Sequence, residues 1–210
     1  MSTAARTSSS LLAMAVLALL LCVCVPGCKS EKDQFAGILA TAASPAAGRG
    51  AAATDLVAAI DAKTLTLSAS IDLAQEQLLA VTKGTVKSAD ATAFAGAVLD
   101  AAARIQDRLP KGGEMEIFWI NVGRLAFKSA EEAHAAGRVQ EAMTLVFAGP
   151  ERWQNQAYWE RYSDHDALAA VLLAKSGQAG TAIARLRERV DLRDAALEVY
   201  QMLTNTRSPP

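Results

Sequence analysis

This chain lacks most of the features that indicate an enzyme or a nucleic-acid-binding protein. Its 21 basic and 22 acidic side chains nearly cancel, so no basic surface for nucleic acid is expected. The sequence contains no phosphate-binding glycine loop and no nucleophile elbow. All three cysteines lie at or before position 28, which leaves the rest of the chain without a thiol for disulfides, metal sites or catalysis. We therefore predict no catalytic residue, no cofactor and no metal.

The two histidines do not stand in patterns that require chemistry. Glu131 and His134 have the i, i+3 spacing of helical di-iron ligands, but the second Glu-x-x-His that such a site needs is missing. His165 lies between Asp164 and Asp166, an arrangement that could suggest a general-base dyad. Acidic residues are also favoured at the start of a solvated helix, and this is the interpretation we adopt for the segment.

The amino-terminal segment has the layout of a secretory signal. A polar stretch precedes fifteen apolar residues, Leu11 to Val25, which is short for a bilayer span of about 20 residues. The sequence Val25-Pro26-Gly27-Cys28 then resembles the lipobox of bacterial lipoproteins, although Leu is more usual at the first position. The resemblance implies that residues 1–27 are removed as a signal peptide and that Cys28 carries the lipid. Cleavage nearby or an uncleaved anchor is the alternative.

That resemblance also implies where the protein is located. A thiol-linked diacylglyceryl group and an added acyl chain, such as palmitate, together hold a protein firmly on a membrane. The lipid anchor implies the bacterial cell envelope, and the periplasmic face of the outer membrane in a Gram-negative organism. The membrane is therefore one expected partner.

Composition divides the chain after the lipobox into two helical parts joined to a tether. Residues 28–53 contain Ser44-Pro45 and several glycines, which predict a flexible tether. Residues 54–111 form an alanine-rich helical segment. Its clearest apolar stripe comprises Phe94, Val98, Ala101, Ile105 and Leu109. We therefore expect the folded part to begin at residue 54.

The second part carries most of the aromatic side chains and is also predicted to be helical. Residues 112–205 hold nine of the eleven aromatic residues, and residues 206–210 are expected to form a disordered tail. The apolar run from Glu116 to Val122 could form a strand, but no partner strand is apparent. We predict an all-α fold of antiparallel helical hairpins.

Two segments of this second part echo each other forty residues apart. In each, a helix ends near a glycine, Gly137 or Gly177, and a second helix follows with an alanine packed against the first. The pattern resembles the tetratricopeptide repeat. The matching residues are Ala130, Gly137, Ala142 and Val146, and then Ala170, Leu173, Gly177, Ala182 and Leu186. The resemblance implies an α-solenoid fragment, although the family's period is 34 residues. Ordinary helical hairpins are the alternative.

An aromatic cluster between these two segments is the best candidate for a partner-binding site. Its members are Trp153, Tyr158, Trp159, Arg161 and Tyr162. Trp, Tyr and Arg are frequent anchors of protein interfaces, so the first hypothesis is a scaffold or adaptor for another envelope protein. The second hypothesis is a module that binds cell-wall glycan or a small apolar ligand through the same rings. Burial of the cluster as core between the hairpins is the remaining interpretation.

Overall fold

The computed structural model describes residues 30–109, 113–148 and 163–187, together with Leu197 and Gln201. Over these residues the chain forms helices and turns and contains no strand, which confirms the all-α prediction. The helices are α1 (Glu31–Ala43), α2 (Gly48–Asp61), α3 (Leu67–Thr82), α4 (Ser88–Ile105), α5 (Gly113–Ala135), α6 (Val139–Val146), α7 (Ser163–Lys175) and α8 (Ala179–Arg187). A 3₁₀ turn, Gln106–Arg108, extends α4. The strand considered for residues 116–122 is wrong, because they lie within α5.

Most of the predicted tether, residues 28–53, is helical where the structure describes it. The hydroxyl of Ser30 accepts a hydrogen bond from the Asp33 amide (3.1 Å), and the Asp33 carboxylate accepts one from the Ser30 amide (3.3 Å). This capping box starts α1. Within α2, Ala52 and Ala53 are completely buried. The prediction of a flexible tether is therefore wrong here, because alanine favours a helix and the tertiary packing of a small-residue face outweighs the cost of Gly48 and Gly50.

α4 is the central helix, and α2, α3 and α5 all pack against it. Four members of the predicted stripe, from Phe94 to Ile105, are buried as expected. Most of the small residues between them are buried too, so α4 is covered on several sides rather than along one stripe. Its alanines and Gly96 allow neighbouring helices to approach closely.

A ladder of polar pairs fastens α2 to α4. The pairs are Arg49 with Asp100, Thr54 with Arg104, and Asp61 with Arg108. The first is bidentate, with nitrogen–oxygen distances of 2.6 and 2.7 Å. Because the partners advance in the same order along both helices, α2 and α4 run parallel.

Three hairpins follow one another along the chain: α3–α4, α5–α6 and α7–α8. The turn of each contains a glycine with positive φ: Gly84 (70°), Gly137 (77°) and Gly177 (86°). The Arg138 amide bonds to the Ala133 carbonyl and the Gln178 amide to the Leu173 carbonyl, each at 2.8 Å. This is the Schellman arrangement, and the α3–α4 turn has the same bond. The two segments that are similar in sequence therefore share one turn geometry.

The first helix of a hairpin packs against the hairpin before it. α5 contacts both α3 and α4, and α7 contacts α6 and, less extensively, α5. A network around Arg138 adds to the first of these junctions. Its guanidinium donates to Ser88 (2.8 Å) and Thr92 (3.1 Å) of α4 and to Glu141 of α6 (2.6 Å). The hairpins are thus stacked in sequence order.

Candidate binding groove

An open groove of about 820 Å³ lies between α3 and α5. His165 of α7, which is itself buried, borders the groove from beneath Phe127. The groove follows from the stacking order, in which α5 contacts α3 and, less extensively, α7. The sequence did not predict this groove.

The α3 wall of the groove presents two consecutive leucines in different environments. Leu78 belongs to the buried stripe of Ile71 and Ala74 and is itself buried. Leu79 is one position further around the helix, lines the groove and is 57% exposed. A large apolar side chain that is exposed inside a groove favours a binding role more than one on a convex surface. In the sequence, the available signal was that Leu79 directly follows Leu78.

The α5 wall has an aromatic centre. Phe127 is half-buried, and its ring centroid lies 6.5 Å from that of His165. The Lys128 ammonium lies 5.2 Å from the centroid of the Phe127 ring and 2.8 Å from the Glu131 carboxylate. The middle of the groove is therefore apolar, with charged side chains along its edge.

The charges of the lining residues balance. Arg124 and Lys128 are followed along α5 by Glu131 and Glu132, so two positive side chains precede two negative ones. A lining with no net charge does not select ligands by overall sign. The order of the charges, however, gives the groove a direction along the α5 axis.

His165 is buried and electrically neutral. Its Nε2–H donates a hydrogen bond to the Val146 carbonyl at 2.9 Å. The pKa of His165 is lowered to about 4. Burial is the largest cause, the hydrogen bond to Val146 acts in the opposite direction, and the nearby Arg185 guanidinium also lowers the pKa. The interpretation of this segment as a solvated helix start is wrong, because His165 and Asp166 both face the interior.

Asp166 pairs with Arg185 of the same hairpin rather than forming a dyad with His165. Its carboxylate accepts hydrogen bonds from Nε (3.0 Å) and Nη2 (2.9 Å) of Arg185 on α8. The same guanidinium lies 5.6 Å from the ring centroid of Phe147, next to the end of α6. Arg185 therefore ties α7 and α8 to the preceding hairpin, which is a structural role.

Among the residues that the structure describes, Glu131 and His134 belong to no cluster of metal-ligand type. Glu131 pairs with Lys128, and Nε2 of His134 accepts a hydrogen bond from Lys175 at 2.5 Å. In the described ranges, no three His, Cys, Asp or Glu side chains come together as they would around a metal ion. No helix in the same ranges is long and apolar enough to cross a membrane.

The predicted lipidation site and the predicted aromatic site both lie outside the described residues. This holds for Cys28 and for Trp153, Tyr158, Trp159, Arg161 and Tyr162. They stay predictions. Comparison of the chain with protein families, with curated proteins and with solved structures found no match.

Proposed function

We propose that this chain is a lipid-anchored protein of the bacterial cell envelope that binds a partner protein and carries out no catalysis. In this proposal the anchor is Cys28, and the binding domain is the stack of helical hairpins. Its role is that of a scaffold or adaptor held at a membrane surface.

The sequence supports the anchor. The apolar run that ends in Val25-Pro26-Gly27-Cys28 resembles a lipoprotein signal, and polar residues follow it directly. Two acyl chains or more provide stable attachment, since each buried methylene contributes about 0.8 kcal/mol. A Cys28→Ser variant should lose its lipid by mass spectrometry and leave the membrane fraction.

The packing of the hairpins supports a tetratricopeptide-like arrangement. Each described hairpin turns on a left-handed glycine with the same hydrogen bond, and each first helix contacts the hairpin before it. Ala142 and Ala182, at matching positions of the two second helices, are completely buried. Close packing through small residues produces a regular stack whose first helices share one face.

The observation that carries partner binding is the groove between α3 and α5, with exposed Leu79 on one wall and half-buried Phe127 on the other. Burying an exposed leucine contributes about 2 kcal/mol, which the partner would supply by covering it. A continuous apolar strip with a charged edge is the usual composition of a protein interface.

An affinity pull-down of the tagged full chain from detergent-solubilised envelope tests this proposal. We expect Leu79→Glu to lose the partner while circular dichroism stays unchanged, because Leu79 is exposed and contributes little to folding. Ile183→Glu is the matched control, since Ile183 is 39% exposed on α8 and does not line the groove. Recovery of the same proteins with Leu79→Glu would contradict the proposal.

The same experiment can assess the aromatic cluster predicted from the sequence. Trp159→Ala and Arg161→Ala are compared singly with the wild-type chain, again with circular dichroism as the test of folding. If partner recovery is unchanged while the fold is intact, these residues are not the binding site and the groove acts without them.

A small apolar ligand is the second candidate, and the dimensions of the groove favour it. Sites for small molecules enclose roughly 300 to 1,000 Å³ and are mostly apolar, and this groove falls within that range. Native mass spectrometry of the purified chain should then detect a co-purifying small molecule that Phe127→Glu removes. If the wild-type chain carries no such molecule, the protein partner is favoured.

A further inference from the structure

The groove side of α5 carries an exposed ridge of four residues, Arg124, Lys128, Glu131 and Ala135. Their steps of four, three and four residues keep them on one face of the helix, and all four are exposed. The side chains of Lys128 and Glu131 are 62% and 52% exposed. Beside this ridge runs the apolar trough formed by Leu78, Leu79 and Phe127. One surface therefore offers both a ridge and a trough.

The charges along this wall of the groove are separated by sign, in an order that gains little from the helix itself. The two basic residues come first, and Glu131 and Glu132 lie near the carboxyl end of α5, where the helix dipole disfavours negative charge. Glutamate placed before lysine is also the better order for pairs within a helix, and Lys128 and Glu131 have the reverse order. The exposed Lys128–Glu131 pair stabilises α5 only weakly, so helix stability contributes little to this arrangement, which a complementary surface would match.

The complement of this surface is a helix with acidic residues opposite Arg124 and Lys128 and basic residues opposite Glu131 and Glu132. α5 itself, read in the opposite direction, is such a helix. A two-fold axis perpendicular to α5 brings each basic pair onto the acidic pair of another copy. We propose that the partner covering the groove is a second copy of this chain, joined through antiparallel α5 helices.

This inference rests on the proposed function, because it assigns the occupant of the same groove. The ridge of each copy packs along the trough of the other, as ridges and grooves do between packed helices. Leu79 and Phe127 supply the apolar contact that gives affinity. The four charge pairs contribute direction and specificity more than affinity, since exposed ion pairs are weak and Lys128 already contacts Glu131 in its own chain. Attachment of both copies to one membrane raises their effective concentration.

Charge reversal tests the direction of this pairing. The full chain is purified in detergent, and its mass is measured by sedimentation. We expect a dimer for the wild type and, for Arg124→Glu with Lys128→Glu, a dissociation constant at least about tenfold higher. Glu131→Lys with Glu132→Lys should weaken the dimer equally. An equimolar mixture of the two double variants should form a heterodimer, because the reversed charges again complement each other.

The control for Arg124→Glu with Lys128→Glu is Lys63→Glu with Lys87→Glu. It makes the same change in net charge at two exposed positions outside the groove. Its dimer should be as stable as that of the wild type. A wild-type chain that stays monomeric up to about 100 µM overturns the inference. So does a dimer that the charge reversals leave intact, or double variants that fail to recombine. If the chain is monomeric but Leu79→Glu still abolishes recovery of an envelope protein in the pull-down, the proposed function holds. Only the assignment of the partner as a second copy is then wrong.

Discussion

His165 couples the folding equilibrium to pH at the scale of a single residue. Its pKa is about 4 in the folded chain against an ordinary value of 6.5, because burial disfavours the charged ring. Between these two pH values the unfolded chain binds more protons, so stability falls as the pH drops from 6.5 and the loss is complete below 4. The pKa difference corresponds to roughly 3 kcal/mol. Denaturant unfolding at a series of pH values measures it.

His165→Gln provides the control for this pH dependence. Glutamine keeps an N–H group that can donate to the Val146 carbonyl and does not titrate. The variant should be less stable than the wild type at pH 7, because glutamine fits the ring's site imperfectly. Its stability should nevertheless change less between pH 6.5 and pH 4. Identical pH profiles for the two proteins would assign the acid sensitivity to other groups.

The lack of a side chain at Gly96 leaves room for the ion pair between Arg49 and Asp100. A Cβ at position 96 would lie 2.8 Å from Cδ of Arg49, whose guanidinium is held by two bonds to Asp100. Alanine is favoured over glycine in a helix by about 1 kcal/mol, but a charged hydrogen bond contributes about 1.5 to 3 kcal/mol. Gly96→Ala should therefore destabilise the wild type by about 1 kcal/mol.

The same substitution should have the opposite sign once the arginine is gone. With Arg49→Ala in the background, nothing obstructs the new methyl group, and Gly96→Ala should stabilise α4 by up to about 1 kcal/mol. A double-mutant cycle from chemical unfolding gives both values. Equal effects in the two backgrounds would show that Arg49 moves aside without cost.

These residues also show where prediction from the sequence stops. The spacing of Phe94, Val98 and Ile105 was enough to predict their burial, because helical periodicity is a local property. Arg49 and Asp100 are 51 residues apart, and nothing local to either one indicates the other. His165 was placed at a solvated helix start because its acidic neighbours suggested it. Its burial depends instead on α6, which supplies the Val146 carbonyl.

At the scale of helices, the turn after α2 differs from the hairpin turns because a lysine rather than a glycine takes the left-handed conformation. Lys63 has φ of 57° at the end of α2, and the amide of the next residue, Thr64, bonds to the Ala59 carbonyl as in the glycine turns. A side chain in this left-handed region costs about 1 kcal/mol, and glycine avoids that cost. Lys63→Gly should therefore stabilise the protein by about 1 kcal/mol, measured by chemical unfolding.

Gly137→Ala is the reciprocal variant. It places a Cβ at φ of 77° in the α5–α6 turn and should destabilise the protein by about 1 kcal/mol. Open space surrounds Gly137, so backbone conformation rather than a clash determines the result. If both substitutions shifted stability in the same direction, turn geometry would not be the cause.

The hairpin turns could be predicted at this scale, whereas the start of the folded domain could not. Gly137 and Gly177 indicated two equivalent turns, because a left-handed cap nearly always selects glycine. Gly48 and Gly50 argued equally strongly against a helix at the position of α2. That helix forms because Ala52, Ala53 and Leu56 pack completely out of solvent, and this information lies in α4 rather than in α2.

At the scale of the whole molecule, the corrected start of the domain changes how it would be held at a membrane. α1 begins at Glu31, three residues after the predicted lipid-bearing Cys28, so a tether of some 25 residues is replaced by helices. A fully extended chain rises about 3.5 Å per residue. The predicted anchor and the first helix are thus separated by only about 10 Å of chain.

The last prediction distinguishes a tether from a folded element. Replacing residues 45–53 with glycine and serine at equal length preserves the reach of a tether but removes Arg49 and the buried face of Ala52 and Ala53. A tether would tolerate the exchange. A packed helix should lose at least about 3 kcal/mol, since an ion pair, two buried contacts and a helical turn disappear together. Ala46→Ser with Ala47→Ser, at two exposed positions before α2, is the control that should leave chemical unfolding unchanged. If the segment variant unfolds at the same denaturant concentration as the wild type, the tether interpretation is correct and α2 does not contribute to the stability of the domain.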